Sequence, residues 1–212
     1  MKFSKKEIKE LITSLGFMAQ SGAKDVFYKN YPKHNNYVLK IDFEKEKIEY
    51  GLNIKLGDLT TSHFENSENF VVLECVNRVL EKGYAPDRIS LEHKWLMGRK
   101  EKGKLDVLVT DKNDKAFLMI ECKTWGEEYE KEKKKMQRDG GQLFSYFQQD
   151  KSAQYLCLYA SRFNKGATEF VNDIVKVDEH WKELNNQKEI FDHWNKNFKD
   201  NGIFEDWANY SG

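Results

Sequence analysis

The feature that most constrains the fold is a helical segment without a polar face, followed at once by three apolar strands. The helix is predicted over Ser67–Glu81, and apolar residues cover most of its circumference, which is typical of a buried helix. The strands are predicted over Arg88–Trp95, Lys104–Thr110 and Ala116–Lys123, with loops rich in Lys, Gly, Asn and Asp between them, as in an antiparallel meander. We therefore expect a helix packed against a sheet.

The sequence beyond Lys123 alternates between helical and strand patterns. A charged stretch predicts one helix, Gly140-Gly141 ends it, and a second helix and two strands follow. These elements are predicted at Glu127–Arg138, Gln142–Gln149, Gln154–Tyr159 and Phe170–Val177. This order predicts an α/β fold in which a mixed β-sheet is flanked by helices.

The first sixty residues have a different pattern. Ser4 and Glu7 match a helix capping box, and the helix that they begin is expected to end at Gly16. Short strands are predicted at Val26–Lys29, Tyr37–Phe43 and Lys47–Tyr50. We expect three regions: a helix-plus-β-meander appendage at residues 1–60, a core at residues 61–177, and a helical acidic tail at residues 178–212 that links to further domains.

Composition and cysteine usage exclude several classes of protein. The chain has 35 basic and 35 acidic residues, so its net charge indicates neither a nucleic acid nor an acidic membrane as partner. No apolar run reaches the ~18–20 residues that span a bilayer, and the N-terminus lacks a secretory signal, so we expect a cytoplasmic protein without a membrane partner. Cys75, Cys122 and Cys157 show no CxxC spacing, which argues against a disulfide framework and a zinc site.

Three charged residues interrupt the apolar strands. Glu121 and Lys123 share one face of their strand, because side chains alternate between the two faces. If the strands pair around a turn at residues 111–115, Asp106 lies nearly opposite Glu121. Charges inside apolar strands are costly to bury unless they are paired or bound to a metal. Their convergence indicates either a metal site or a salt-bridge cluster on a solvated sheet face.

The residue types at this point suit catalysis with a hard divalent cation. Mg²⁺, or Mn²⁺ in its place, prefers oxygen ligands, which Asp106, Glu121 and the backbone carbonyl of Cys122 would supply. Burial is expected to lower the pKa of Lys123, which would orient or deprotonate an attacking water or stabilise charge on the phosphorane. This combination predicts hydrolysis of phosphodiester bonds by metal-activated water.

Two motifs carry a family resemblance. Leu105-Asp106 followed by Glu121-Cys122-Lys123 resembles the PD-(D/E)xK motif of restriction-endonuclease-like nucleases, with leucine where proline often stands. Gln142 and Tyr146 resemble the QxxxY motif of the N-terminal nuclease domains of type I restriction enzyme R subunits and related fused restriction-modification proteins. The resemblance implies a restriction-endonuclease-like core and a Mg²⁺-dependent DNA endonuclease, in which Gln142 and Tyr146 are catalytic and contact DNA.

The resemblance also implies a glutamate near the metal from the helix before the sheet. Glu74, a carboxylate among apolar neighbours, matches that place and is assigned to the catalytic site, with a helix-surface role as the alternative. Glu92 is a weaker candidate. His93 is expected to be a packing or surface histidine, because nucleases of this type use metal-bound water.

Contact with double-stranded DNA must come from local positive charge and polar groups. The candidate DNA-binding residues lie in the loop before the Asp106 strand and at the second motif: Lys94, Arg99, Lys100, Lys102, Gln142 and Tyr146. A second basic stretch, residues 131–138, suits phosphate contact and solvated surface equally. No recognition helix is visible, so sequence-specific base reading is not indicated.

The resemblance predicts the DNA endonuclease domain of a restriction-modification system, whose cut is licensed by motor, methylase or specificity parts. The chain has no GxxxxGK[ST] loop, so ATP hydrolysis by that route is not expected of it. Two alternatives stay open. One is a stand-alone PD-(D/E)xK repair or junction-resolving nuclease, and the other is a catalytically inert DNA-binding or assembly module with the nuclease fold.

Overall fold

The computed structural model describes residues 4–95, 103–184 and 189, which form a mixed α/β fold with two β-sheets. The helices of this part are α1 (Lys5–Ser14), α2 (Glu68–Lys82), α3 (Glu127–Asp139), α4 (Gly141–Gln149) and α5 (Glu179–Glu183). The strands are β1 (Met18–Ala19), β2 (Val26–Tyr31), β3 (Tyr37–Asp42), β4 (Lys47–Glu49), β5 (Lys55–Leu56), β6 (Ile89–His93), β7 (Leu105–Thr110), β8 (Ala116–Thr124), β9 (Tyr155–Asn164) and β10 (Ala167–Lys176). The predicted α/β class is confirmed.

The N-terminal helix and meander form as the sequence predicts. The Ser4 hydroxyl accepts a hydrogen bond from the Glu7 N–H, and the Glu7 carboxylate accepts one from the Ser4 N–H, which completes the capping box at the start of α1. The smaller sheet is antiparallel and has the order β1-β2-β3-β4. β1 was not predicted, because two residues are too few to show a strand pattern.

The larger sheet is mixed and has the order β10-β9-β8-β7-β6-β5. β6, β7 and β8 form the predicted antiparallel meander, whereas β8 pairs with β9, and β5 with β6, in parallel. β9 and β10 form an antiparallel hairpin that is longer than predicted. Its outer part, residues 161–168, is mostly polar, so hydrophobic patterning gives no strand signal there.

Helices cover both faces of the larger sheet. α2 packs on β8 and β9, and its Val72 and Val76 belong to one buried cluster with Ile120. α3 and α4 also pack on these strands, and Phe144 of α4 belongs to a second cluster with Met119. Because Met119 and Ile120 are consecutive in β8, the two clusters lie on opposite faces of the sheet.

The predicted appendage packs against α2. Leu39 and Ile41 of the smaller sheet share the first buried cluster with Val76, and the Lys29 ammonium donates to Asn77 Oδ1 at 2.7 Å. β5 belongs to the larger sheet although it precedes the predicted boundary at residue 60. The first region therefore contributes residues to the sheet that carries the candidate site.

α5 is the described part of the predicted tail. It begins at Asp178, whose side chain accepts a hydrogen bond from the His180 N–H at 2.9 Å. The predicted helix carrying Trp194, and all residues beyond 184 except 189, lie outside the described residues. Within the described ranges, no helix has both the length and the apolar character needed to cross a membrane.

Candidate functional site

The register of the β7–β8 hairpin brings Asp106 and Glu121 together. Val107 lies opposite Ile120, so the next pair along the same register is Asp106 and Glu121. The Cys122 N–H donates to Asp106 Oδ2 at 2.7 Å, which fixes the aspartate against β8. The side chains therefore meet where the turn position and the strand period predict.

Lys123 completes a buried cluster of charges. Its ammonium lies 2.5 Å from Glu121 Oε1, donates to the Cys122 carbonyl at 3.1 Å and lies 3.9 Å from a carboxylate oxygen of Glu68. Glu121 is only 2% exposed. The ion pairs of the salt-bridge alternative are present, but its solvated sheet face is wrong, because Glu121 is buried.

The second oxygen of Glu121 distinguishes this cluster from an ordinary ion pair. Glu121 Oε2 is buried and has no hydrogen-bond partner among the described residues. Burying a carboxylate oxygen without a donor costs several kilocalories per mole, so native structures normally supply a partner for it. A proton or a cation would supply what the protein itself does not.

The cluster lines a pocket of 330 Å³ that is assembled from distant parts of the chain. Five carboxylates and two ammonium groups line it: Glu65, Glu68, Glu92, Asp106, Glu121, Lys104 and Lys123. Thr60, Asn69, Gln142 and Tyr146 add neutral polar groups. The excess of carboxylates makes the pocket attractive to cations.

The pKa values in the pocket follow from this charge arrangement. Burial, opposed by Lys123 and reinforced by the charge of Glu68, raises the pKa of Asp106 to about 7. Burial and then the charge of Asp106 raise the pKa of Glu121. Burial by itself lowers the pKa of Lys123, but Glu121, Asp106 and Glu68 outweigh it and raise the pKa above its ordinary value. The prediction of a lowered pKa for Lys123 is therefore wrong.

α4 brings Gln142 and Tyr146 to the same pocket. The Tyr146 hydroxyl donates to the Lys104 carbonyl at 2.7 Å, and Gln142 Nε2 lies 3.5 Å from that hydroxyl. α4 begins at a sharp turn after Gly140, which has φ +80° and where a Cβ atom would lie 2.3 Å from Phe144 Cβ. Only glycine fits this turn, which sets the first turn of α4 beside the charge cluster.

Glu74 does not line the pocket, so its expected place at the site is corrected. Its carboxylate is fully buried, accepts a hydrogen bond from Arg78 at 2.6 Å and accepts another from the Tyr159 hydroxyl. Glu68, in the first turn of α2, lines the pocket instead. Six residues along a helix correspond to a rotation of about 240°, so the two carboxylates face different directions. The signal that identifies Glu68 is its position just before the apolar stretch.

Glu92 lines the pocket in an unusual backbone conformation. It has φ +50°, which is uncommon for a residue with a side chain. Its carboxylate accepts hydrogen bonds from the Thr60 N–H at 3.2 Å and from the Lys104 ammonium at 3.3 Å. A Cβ atom at Gly57 would lie 2.2 Å from the Glu92 carbonyl, so this contact requires glycine. Sequence reasoning missed Thr60, which belongs to the predicted appendage, and did not place Lys104 in the site.

The donor atoms of the pocket fit a hard divalent cation. Among the described residues, no group of three or more His, Cys, Asp or Glu side chains is arranged to hold a metal ion. Asp106 and Glu121 contribute two carboxylates, and the carbonyl of Cys122, which accepts from Lys123, is the further oxygen beside them. Mg²⁺ commonly takes one or two protein carboxylates and completes its shell with water and phosphate oxygens. The unpartnered Glu121 oxygen makes this set suitable for such an ion.

Among the described residues, five basic side chains of the predicted basic stretches lie in ion pairs. Lys94 lies 3.6 Å from Asp58, while Arg99, Lys100 and Lys102 lie outside the described residues. Four basic side chains of α3 each lie within 3.9 Å of a carboxylate: Lys131, Lys133, Lys135 and Arg138. Positive charge on the described part of α3 is therefore mostly neutralised within the protein.

Neither a protein-family model nor a curated protein sequence matches this chain. The case for a function therefore depends on the residues of the pocket and their geometry.

Proposed function

We propose that this chain is a divalent-metal-dependent nuclease that hydrolyses phosphodiester bonds in DNA. The observation that carries the proposal is Glu121 Oε2, an acceptor buried beside Asp106 without a hydrogen-bond partner in the described part of the chain. Glu121 lines a pocket with more carboxylates than ammonium groups. A hard cation is the ligand that such a set of oxygens binds.

Each polar residue of the pocket has a role in this proposal. Asp106 and Glu121 would hold Mg²⁺ or Mn²⁺ with the Cys122 carbonyl. A cation bound there acidifies a coordinated water and neutralises charge on the phosphate. Lys123, whose ammonium lies beside Glu121 and the Cys122 carbonyl, would donate hydrogen bonds to phosphate oxygens and stabilise the charge that develops on them. Gln142 presents an amide that positions the substrate.

The proposal extends to the fold family and the biological context. Helices on both faces of a mixed sheet, with the charge cluster on a β-hairpin, support a restriction-endonuclease-like core. The two sequence motifs support a restriction-modification system that acts in the cytoplasm on double-stranded DNA. Motor, methylase or specificity parts would then be its partners.

Cleavage of supercoiled plasmid in the presence of Mg²⁺ or Mn²⁺ tests the proposal. We expect wild-type protein to nick or linearise the plasmid, and Asp106→Ala and Glu121→Ala to lose this activity. Both variants should keep the wild-type circular dichroism spectrum, because they remove cation ligands rather than core packing. Cleavage at the wild-type rate by either variant would refute the site.

A further inference from the structure

A row of three aromatic rings leads away from the candidate site. Tyr146, which lines the pocket, stacks on Trp95 with ring centroids 5.7 Å apart and 25° between the planes. Trp95 also contacts the His93 ring in an edge-on arrangement, with centroids 4.6 Å apart. Trp95 packs against the second buried cluster but is itself only partly buried, so part of its ring is accessible.

A second cavity lies at the His93 end of this row. It has a volume of 430 Å³, which is within the range of ~300–1,000 Å³ that is common for small-ligand sites. Its lining combines apolar side chains, such as Leu91 and Leu108, with the hydroxyl of Ser90 and with the charged side chains of Lys55, Lys94, Asp114 and Asp150. Burial lowers the pKa of His93, so its ring is uncharged at neutral pH and suited to stacking. A flat, apolar ring with polar edges, such as a nucleobase, matches this lining.

The described surface favours stacking over tracking of a duplex backbone. Four of the five basic side chains of α3 lie beside carboxylates, and a cation that is already paired neutralises a phosphate poorly. Stacking on aromatic side chains is the other main source of affinity for nucleic acids, and it requires bases that are outside the double helix.

We propose that the substrate carries an unpaired DNA segment next to the scissile phosphate, with one base stacked on Trp95 and a base accommodated in the cavity beside His93. This deepens the proposed nuclease function by naming its substrate class, and it rests on that function. It predicts that the nuclease prefers double-stranded DNA with a single-stranded tail, a flap or an extruded base to continuous duplex.

Fluorescence anisotropy tests this binding without cleavage, with Ca²⁺ in place of Mg²⁺. The probes are a short labelled single strand, a blunt duplex of the same sequence, and that duplex with a single-stranded tail. We expect the tailed duplex and the single strand to bind about ten-fold or more tightly than the blunt duplex, as loss of one or two stacking contacts would give. Equal affinity for the blunt and tailed duplexes would overturn the proposal.

Two substitutions identify the stacking residue. Trp95→Ala should weaken binding of the tailed duplex about ten-fold and leave blunt-duplex binding unchanged, whereas Trp95→Phe should keep most of the affinity. Trp125→Ala is the matched control, because Trp125 is also partly buried but its ring packs on the Arg162 guanidinium at 4.3 Å. Equal losses in the Trp95→Ala and Trp125→Ala proteins would contradict a role for the aromatic row.

If the Trp95→Ala protein does not fold, a change in the DNA ligand tests base stacking on the wild-type protein instead. Single abasic positions are placed in turn along the tail of the duplex, and each ligand is bound to wild-type protein. One position should lose about ten-fold in affinity while its neighbours lose little. A uniform response along the tail would refute base stacking. Cleavage of blunt plasmid with no preference for tails would leave the nuclease proposal intact and remove only this one.

Discussion

Two buried carboxylates of this protein have opposite environments. Glu74, on α2, has a donor at each oxygen: Arg78 at Oε1 and the Tyr159 hydroxyl at Oε2. Glu121, on β8, has the Lys123 ammonium at Oε1 and no hydrogen-bond donor at Oε2 among the described residues. Both are almost completely shielded from water. The two carboxylates are therefore similarly buried, but Glu74 has a donor at each oxygen and Glu121 has a donor at only one among the described residues.

The difference separates a structural ion pair from a candidate functional one. The buried Glu74 carboxylate, which has a donor at each oxygen, holds α2 to β9 and needs no further ligand. The buried Glu121 carboxylate has one oxygen without a donor among the described residues. It destabilises the folded protein unless a ligand binds to that oxygen, and such local strain is typical of functional sites. The same pocket contains Glu92 in a left-handed backbone conformation, a second feature of this kind.

The largest expected effect is on plasmid cleavage, and it distinguishes Lys123, the partner of Glu121, from Arg78, the partner of Glu74. Lys123→Met should reduce plasmid cleavage about 100- to 1,000-fold, because in the proposed mechanism it removes the ammonium that would stabilise charge in the transition state. Its measurement is the initial nicking rate in Mg²⁺. Arg78→Met is the matched control, and its folded fraction should cleave at the wild-type rate. A Lys123→Met protein as active as wild type would contradict the assigned role.

The second effect is a loss of stability, and it concerns the pair of Glu74 and Arg78. Glu74→Ala should lower the free energy of unfolding by about 3 kcal/mol, because Arg78 and the Tyr159 hydroxyl are left inside the protein without their acceptor. Urea unfolding at neutral pH measures it. A loss below about 0.5 kcal/mol, the size of ordinary surface substitutions, would mean that the pair contributes little.

The third effect is a pH dependence of stability that arises at Asp106, beside Glu121. The pKa of Asp106 rises from its ordinary 3.8 to about 7 in the folded protein, so the folded state binds this proton more tightly than the unfolded state between those values. Stability of the metal-free protein should therefore fall by about 2 kcal/mol as the pH rises from 4 through 7, after allowance for partial solvent access. Asp106→Asn should flatten this dependence. An unchanged pH profile in that variant would show that another group titrates.

The smallest effect concerns Gln142, which would position the substrate beside Glu121 and Lys123. Gln142→Ala should raise the KM for cleavage about ten-fold with little change in stability, because it removes one hydrogen-bonding amide from the pocket. Gln137, which is exposed on α3, offers the control substitution Gln137→Ala. A KM that is the same in both variants would remove Gln142 from the substrate contacts.

Local rules predicted the part of the site that lies on one hairpin. The strand period and the turn position place Asp106 within one residue of Glu121, and a shift of register between Val109 and Thr110 brings the two opposite each other, so no distant residue is needed. Glycine at the end of a helix similarly marks its C-terminus, as at Gly83 and Gly140. These features depend on residues close together in the chain.

The remaining features depend on tertiary packing. Which turn of α2 faces the pocket is set by how the helix lies on the sheet, and for this reason Glu68 rather than Glu74 lines it. Burial lowers the pKa of Lys123 and the charges of Glu121 and Asp106 on the same hairpin raise it, and Glu68, from 55 residues earlier in the chain, adds a further rise that depends on tertiary packing. Thr60 reaches Glu92 only because β5 joins the edge of the larger sheet.

Isothermal titration calorimetry with Mg²⁺ or Mn²⁺ tests the central claim most directly, because the claim is that Glu121 and Asp106 form a cation site. The wild-type and Glu74→Ala proteins should each show saturable binding of the cation, and Asp106→Ala should show none. Absence of binding to the wild-type protein, or binding that survives in Asp106→Ala, would contradict the claim.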